Sequence, residues 1–136
     1  MRIAAHPGLY DPAAPTPVLS GTRCARCRHV YFPPLGIGCE VCGADEEHLT
    51  PVPIDAVGAV HSRARVHRHL GAPLAPFTIA EIRLDAGPLI RGTLAGDGPR
   101  IGDRVHAVWA VTDTRDDGAE TVEPVFTTTA PNGAAS

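Results

Sequence analysis

Aromatic residues are scarce in this chain, whose 136 residues include one Trp, two Tyr and three Phe. Binding of single-stranded nucleic acid without sequence preference relies on aromatic rings on which bases stack, so this scarcity counts against that function. Basic charge is not in excess either. A formal net charge of -3 and a pI near 6.1 run opposite to the basic surface of a typical nucleic-acid domain. No apolar run approaches the ~18 residues of a membrane-spanning helix, so no span is expected. No segment keeps a helical period for a useful length, which turns the expectation toward β-structure. No Ser or Cys is identifiably paired with a histidine or carboxylate as an activated nucleophile would be.

Cysteine is absent except at Cys24, Cys27, Cys39 and Cys42, which form two Cys-x-x-Cys pairs separated by eleven residues. Each pair can sit on a tight turn with both sulfurs pointing one way. Two such turns facing each other offer a tetrahedron of thiolates, the arrangement of a structural Zn²⁺ in a zinc ribbon. Gly43 follows the second pair, where the chain often needs positive φ; Arg28 stands at the corresponding place after the first. Two disulfides, a dithiol redox site or iron in the same cage are the other chemistries open to these residues. With no signal-peptide pattern ahead of them, the thiols are expected in a reducing cytoplasm, which favours the metal. His29 and His48 lie close by, but a complete sulfur set leaves them no coordination role, and they are expected at the surface.

A chain of this length makes one domain or two small ones. Its 14 Gly and 14 Pro imply many turns and short strands. Residues 1–20, with Pro7, Pro12, Pro15 and Pro17, read as an extended arm lying on the ribbon, a second lobe or a partner. Residues 21–50 read as the ribbon, with Val30-Tyr31-Phe32 a short strand, and Pro51 to Pro53 as a linker. Residues 54–128 read as the second lobe, and 129–136 as a disordered tail.

Within the second lobe, Val57–His69, Phe77–Leu84, Pro88–Leu94, Asp103–Thr112 and Thr121–Thr128 are strand candidates bounded by Gly, Pro or Asp. Five strands without helices predict a small all-β barrel or sandwich. Val105, Ala107, Trp109 and Val111 alternate onto one face, which places the single Trp in the core. The first candidate carries a second pattern: His61, Arg63, Arg65, His67 and His69 all fall at odd positions and would share one face of an extended chain. Such a basic ribbon suits phosphate groups. It equally suits a solvated face paired with Glu81, Arg83 and Asp85 of the next strand.

Taken in order, several segments resemble the zinc-ribbon/OB-fold acyl-CoA-associated family. They are the first cysteine turn with Phe32-Pro33-Pro34, then Cys39-Glu40-Val41-Cys42-Gly43, Gly58-Ala59-Val60-His61-Ser62, Leu84-Asp85-Ala86-Gly87-Pro88 and Ile101-Gly102-Asp103-Arg104-Val105. The resemblance covers residues 19 to 128. It implies a mostly β fold, a rubredoxin-like zinc ribbon followed by a five-stranded OB-fold barrel. A proline-rich arm stands where many members have a helical segment.

The resemblance further implies a non-catalytic accessory subunit, working in a hetero-oligomer with a thiolase-superfamily protein. The partner would make or break carbon–carbon bonds in acyl-CoA, as aldolases, thiolases and acyltransferases do, in lipid, sterol or polyketide metabolism. Service to a hotdog-fold enoyl-CoA hydratase is the first alternative, and a nucleic-acid-binding ribbon/OB module the second. In the leading reading Zn²⁺ is structural, the CoA thioester is a ligand of the complex, and Arg63 and Arg65 are candidate contacts to CoA phosphates.

Overall fold

The computed structural model describes residues 1–34, 36–67, 77–96 and 98–129. Nine strands appear among them: β1 (Arg2–Ala4), β2 (Val18–Cys24), β3 (Val30–Tyr31), β4 (Leu49–Asp55), β5 (Val57–Val66), β6 (Phe77–Leu84), β7 (Leu89–Leu94), β8 (Arg104–Thr114) and β9 (Glu120–Thr128), with one 3₁₀ turn at Glu46–His48. Strands β3, β2 and β4 form one sheet in that order. The other sheet runs β1-β9-β7-β6-β5-β8 and closes through an additional β8–β9 pairing. Strands β5 to β9 therefore make a five-stranded closed barrel, consistent with an OB fold, preceded by the cysteine-bearing sheet.

Alternation explains the barrel. Along β6, Thr78, Ala80, Ile82 and Leu84 are buried while Glu81 and Arg83 face water, a period-2 pattern that puts one set of side chains inside. They meet Val60, Ile90, Leu94, Val105 and Phe126 in one core. The chain reverses between β6 and β7 at Gly87, whose φ of 123° only glycine adopts at no cost. Gly58 has no room for a side chain, because a Cβ there would stand 2.2 Å from the Arg83 carbonyl oxygen. β5 and β6 cross in contact at that point.

Three expectations need correction or completion. Pro51 and Pro53 are not a linker but lie inside β4, opposite Thr22 and Ser20 of β2. β4 is an edge strand, so positions lacking an N–H can face away from the partner without costing a ladder hydrogen bond. Trp109 is half-buried at the margin of the core rather than central to it. Its indole N–H donates to the Ala14 carbonyl at 2.8 Å, and the Arg2 guanidinium lies 4.9 Å above its ring.

The N-terminal arm accordingly lies on the barrel. β1 adds parallel to β9, with Arg2 beside Glu120 and Ala4 beside Val122. The Val122 carbonyl accepts from the Ala5 N–H at 3.0 Å and from the buried Tyr10 hydroxyl at 2.9 Å. His69 and residues 130–136, which carry the end of the histidine pattern and most of the expected tail, lie outside the described residues. No helix is long and apolar enough to cross a membrane.

Candidate metal centre and the arginine pair

β2 delivers Cys24 at its end, and the chain turns back so that Cys24 N–H donates to the His29 carbonyl at 2.9 Å and Arg28 N–H to the Cys24 carbonyl at 2.7 Å. The second turn repeats this, with Cys39 N–H to Ala44 at 2.8 Å and Gly43 N–H to Cys39 at 2.9 Å. Arg28, at φ 69°, adopts the left-handed conformation that Gly43 adopts at 77°. The two turns face each other, and the four Sγ atoms all lie within 4.8 Å of one another. Cys24 to Cys42 is 3.7 Å, and Cys27 to Cys39 is 3.5 Å. A tetrahedral ion with Zn–S of about 2.3 Å requires sulfurs about 3.8 Å apart, so the arrangement fits. A disulfide, at about 2.05 Å, does not describe these distances.

The surroundings favour thiolate at Cys39 and Cys24. The Cys39 sulfur accepts from the Tyr31 hydroxyl at 3.1 Å, and Tyr31 itself accepts from the Glu40 N–H at 2.9 Å. That hydroxyl, outweighing burial and helped by the N–H groups of Cys42 and Val41, brings the Cys39 thiol down to about 6. The bond to Cys39 raises Tyr31 in turn, so it stays a protonated donor. Cys24 is lowered chiefly by the Cys27 N–H. At Cys27 the His29 N–H pulls the thiol down, but burial and the neighbouring sulfurs win and push it up to about 12. Four sulfurs this close cannot all ionise unaided, and a divalent cation held among them would supply the missing charge.

His29 and His48 stand apart from the cluster, as expected. The His29 ring packs edge-on against Tyr31 at 4.6 Å, and His48 Nδ1 meets Asp45 Oδ1 at 2.9 Å. The Tyr31 contact was not foreseen. Nothing in cysteine spacing marks a second-sphere hydroxyl, because it depends on how β3 folds over the second turn.

The basic stripe is divided by the fold. Val60 pairs with Ile82 and Ser62 with Glu81, leaving His61 as an extra residue in a bulge. One inserted residue inverts the alternation that follows it. Ser62 therefore lies with Glu81 outside and donates to it at 2.9 Å, while Arg63 falls opposite the buried Ala80 and Arg65 opposite the buried Thr78. Arg63 bonds the carbonyl of Pro99, a fully buried residue in the β7–β8 connection, and so closes one end of the barrel. Arg65 is exposed and reaches Thr78 Oγ1 at 3.4 Å. His61 and His67 are exposed; the bulge takes His61 off the face of the arginines, and His67 lies just beyond the end of β5. Of the suggested cross-strand partners, Asp85 instead takes a bidentate pair from Arg104 at 2.8 and 2.6 Å.

Two family models match in tandem: "ChsH2, rubredoxin-like zinc ribbon domain" over residues 13–47, and "ChsH2, C-terminal OB-fold domain" over residues 51–110. Among solved structures, a chain described as "Ltp2-ChsH2(DUF35) aldolase" is similar at 26% identity and a TM-score of 0.64, over 82% of this chain and 85% of that one. No curated protein matches in sequence.

Proposed function

Because this chain belongs to the ChsH2 family, with the family's zinc ribbon and OB-fold domain in tandem, we propose that it is a non-catalytic accessory subunit of an aldolase-type complex. The partner in this reading is a thiolase-superfamily protein, and the substrate is an acyl-CoA whose carbon–carbon bond is cleaved or formed. The observation that carries the reading is the similarity, over most of both chains, to a component described as an Ltp2-ChsH2 aldolase. The chemistry of the residues agrees. Cys24, Cys27, Cys39 and Cys42 would hold one Zn²⁺ with every position filled by sulfur, a structural ion that joins the two turns.

Catalytic groups then belong to the partner, and this chain contributes shape. An OB lobe that covers a channel excludes water and orients a thioester without donating a proton. Arg65, exposed at the barrel end, is the better placed of the two arginines to meet CoA phosphates. Arg63 beside it holds the backbone that forms that end.

The test is an assay of the candidate partner with and without this chain, and of the chain alone, on acyl-CoA substrates. The partner should lose most of its rate or its solubility without the subunit, and the chain alone should be silent. Turnover by the isolated chain, or a partner indifferent to it, overturns the proposal.

A further inference from the structure

Strands β7 and β9 are joined by a single register pair, Leu94 with Phe126. From there toward Ile90 and Pro124 the barrel wall is incomplete, because the first residues of β9 pair with β1 and β8 instead. The opening is filled only in part. Leu9 of the arm, Leu19 of β2 and Phe32 after β3 close over Ile90 and Phe126 and leave a pocket of about 140 Å³ at the seam of arm, ribbon and barrel. Gly92 lets the Phe126 ring at the pocket floor pack against the backbone of β7, since a Cβ there would stand 2.9 Å from it.

The rim has a charge pattern. Glu123 is engaged by His6 Nε2 at 3.3 Å. Glu81, opposite Arg91 in the ladder, accepts from Ser62. Arg91 lies exposed at the mouth, and its side chain makes no hydrogen bond or ion pair among the described residues. An apolar pocket with one uncommitted guanidinium at its entrance matches a ligand with a hydrocarbon body and a planar anionic head.

We propose that this seam pocket binds a small amphipathic carboxylate, its hydrocarbon part against Ile90 and Phe126 and its carboxylate on Arg91. The size sets the class. Apolar cavities of about 150 Å³ take benzene, so the fitting body has about six carbons. Binding of so small a ligand falls near about 1 mM. The site needs no partner chain, so its test is independent of the accessory-subunit reading.

The experiment titrates hexanoate, 1-hexanol and acetate into the full zinc-loaded chain and follows backbone amide shifts by NMR. Hexanoate should produce saturable shifts at Tyr10, Gly92 and Thr93, and acetate, a head without a body, should not. Leu9→Trp, which fills the pocket from the arm, should abolish binding. Arg91→Gln should weaken hexanoate about tenfold, the loss expected of one charge-assisted contact, and leave hexanol unchanged. Absence of localised shifts at about 20 mM hexanoate, ten or more times the expected dissociation constant, overturns the site. Equal hexanoate binding by Arg91→Gln or by Leu9→Trp overturns the assignment of head or body.

Discussion

Arg28 and Gly43 occupy equivalent places in the two cysteine turns. Each follows the second cysteine of its pair, each donates its N–H to the carbonyl of the first cysteine, at 2.7 and 2.9 Å, and the two φ values are 69° and 77°. The left-handed conformation costs a residue with a Cβ about 1–2 kcal/mol. The first turn carries that strain because the geometry around the sulfurs requires this backbone path.

Arg28→Gly should therefore stabilise the ribbon, by about 0.5 kcal/mol once the greater freedom of glycine in the unfolded chain is subtracted. Thermal unfolding of the zinc-loaded chain measures this. The converse, Gly43→Ala, meets no atom within 4 Å and should lose about 1 kcal/mol through φ alone. A lower midpoint for Arg28→Gly would mean that the arginine side chain contributes more than its backbone costs.

Elemental analysis should find one Zn²⁺ per chain, and replacing Cys24, which is fully buried, with Ala should remove it and unfold the ribbon, since binding energy in such sites is folding energy. The main core, in which Leu19 and Ile54 of the other sheet join the barrel residues, is separate from the small cluster around the cysteines, and the barrel should persist. Trp109, which packs against Tyr10 at 5.4 Å, reports this: a folded barrel keeps a cooperative fluorescence transition, and its disappearance would show that ribbon and barrel fold as one unit.

Acid should release the metal, with Tyr31 setting part of the threshold. Cys39 is lowered from 9.0 to about 6, first by the Tyr31 hydroxyl. A group depressed in the folded state contributes stability that is present above its unfolded value and lost as pH falls through its folded one. Retention of zinc against a fixed chelator should thus decline toward low pH, and Tyr31→Phe should move the midpoint upward. A midpoint unmoved by Tyr31→Phe would deny the hydroxyl any role in holding the thiolate.

The two arginines should separate cleanly. Arg63→Ala removes a charged donor from the buried Pro99 carbonyl and should cost about 1.5–3 kcal/mol in denaturant unfolding. Arg65→Ala should leave stability within about 0.5 kcal/mol, as exposed substitutions do. In the assembled complex Arg65→Ala should raise the apparent constant for the CoA substrate and reduce its dependence on salt. An unchanged substrate dependence would remove Arg65 from the CoA site.

Much of this protein was decided by local sequence. The cysteine spacing is enough to define two facing turns, because Cys-x-x-Cys geometry is a property of a few adjacent residues. Alternation between turn residues identified β5 to β9, since a strand half-buried on one face writes its period into the chain. Three matters required the tertiary structure, and each concerns a relation that no short window contains. Proline content made residues 51 to 53 read as a linker, yet an edge position in the β2–β4 pair accepts them. Odd numbering put His61, Arg63 and Arg65 on one face, yet a bulge whose existence depends on the facing strand inverted the pattern and turned the arginines to the barrel side. The arm's resting place, and with it the half-burial of Trp109 and the pocket beside Arg91, follows from residues near 10 meeting residues near 90 and 122. Contacts across such distances along the chain are set by how the sheets close.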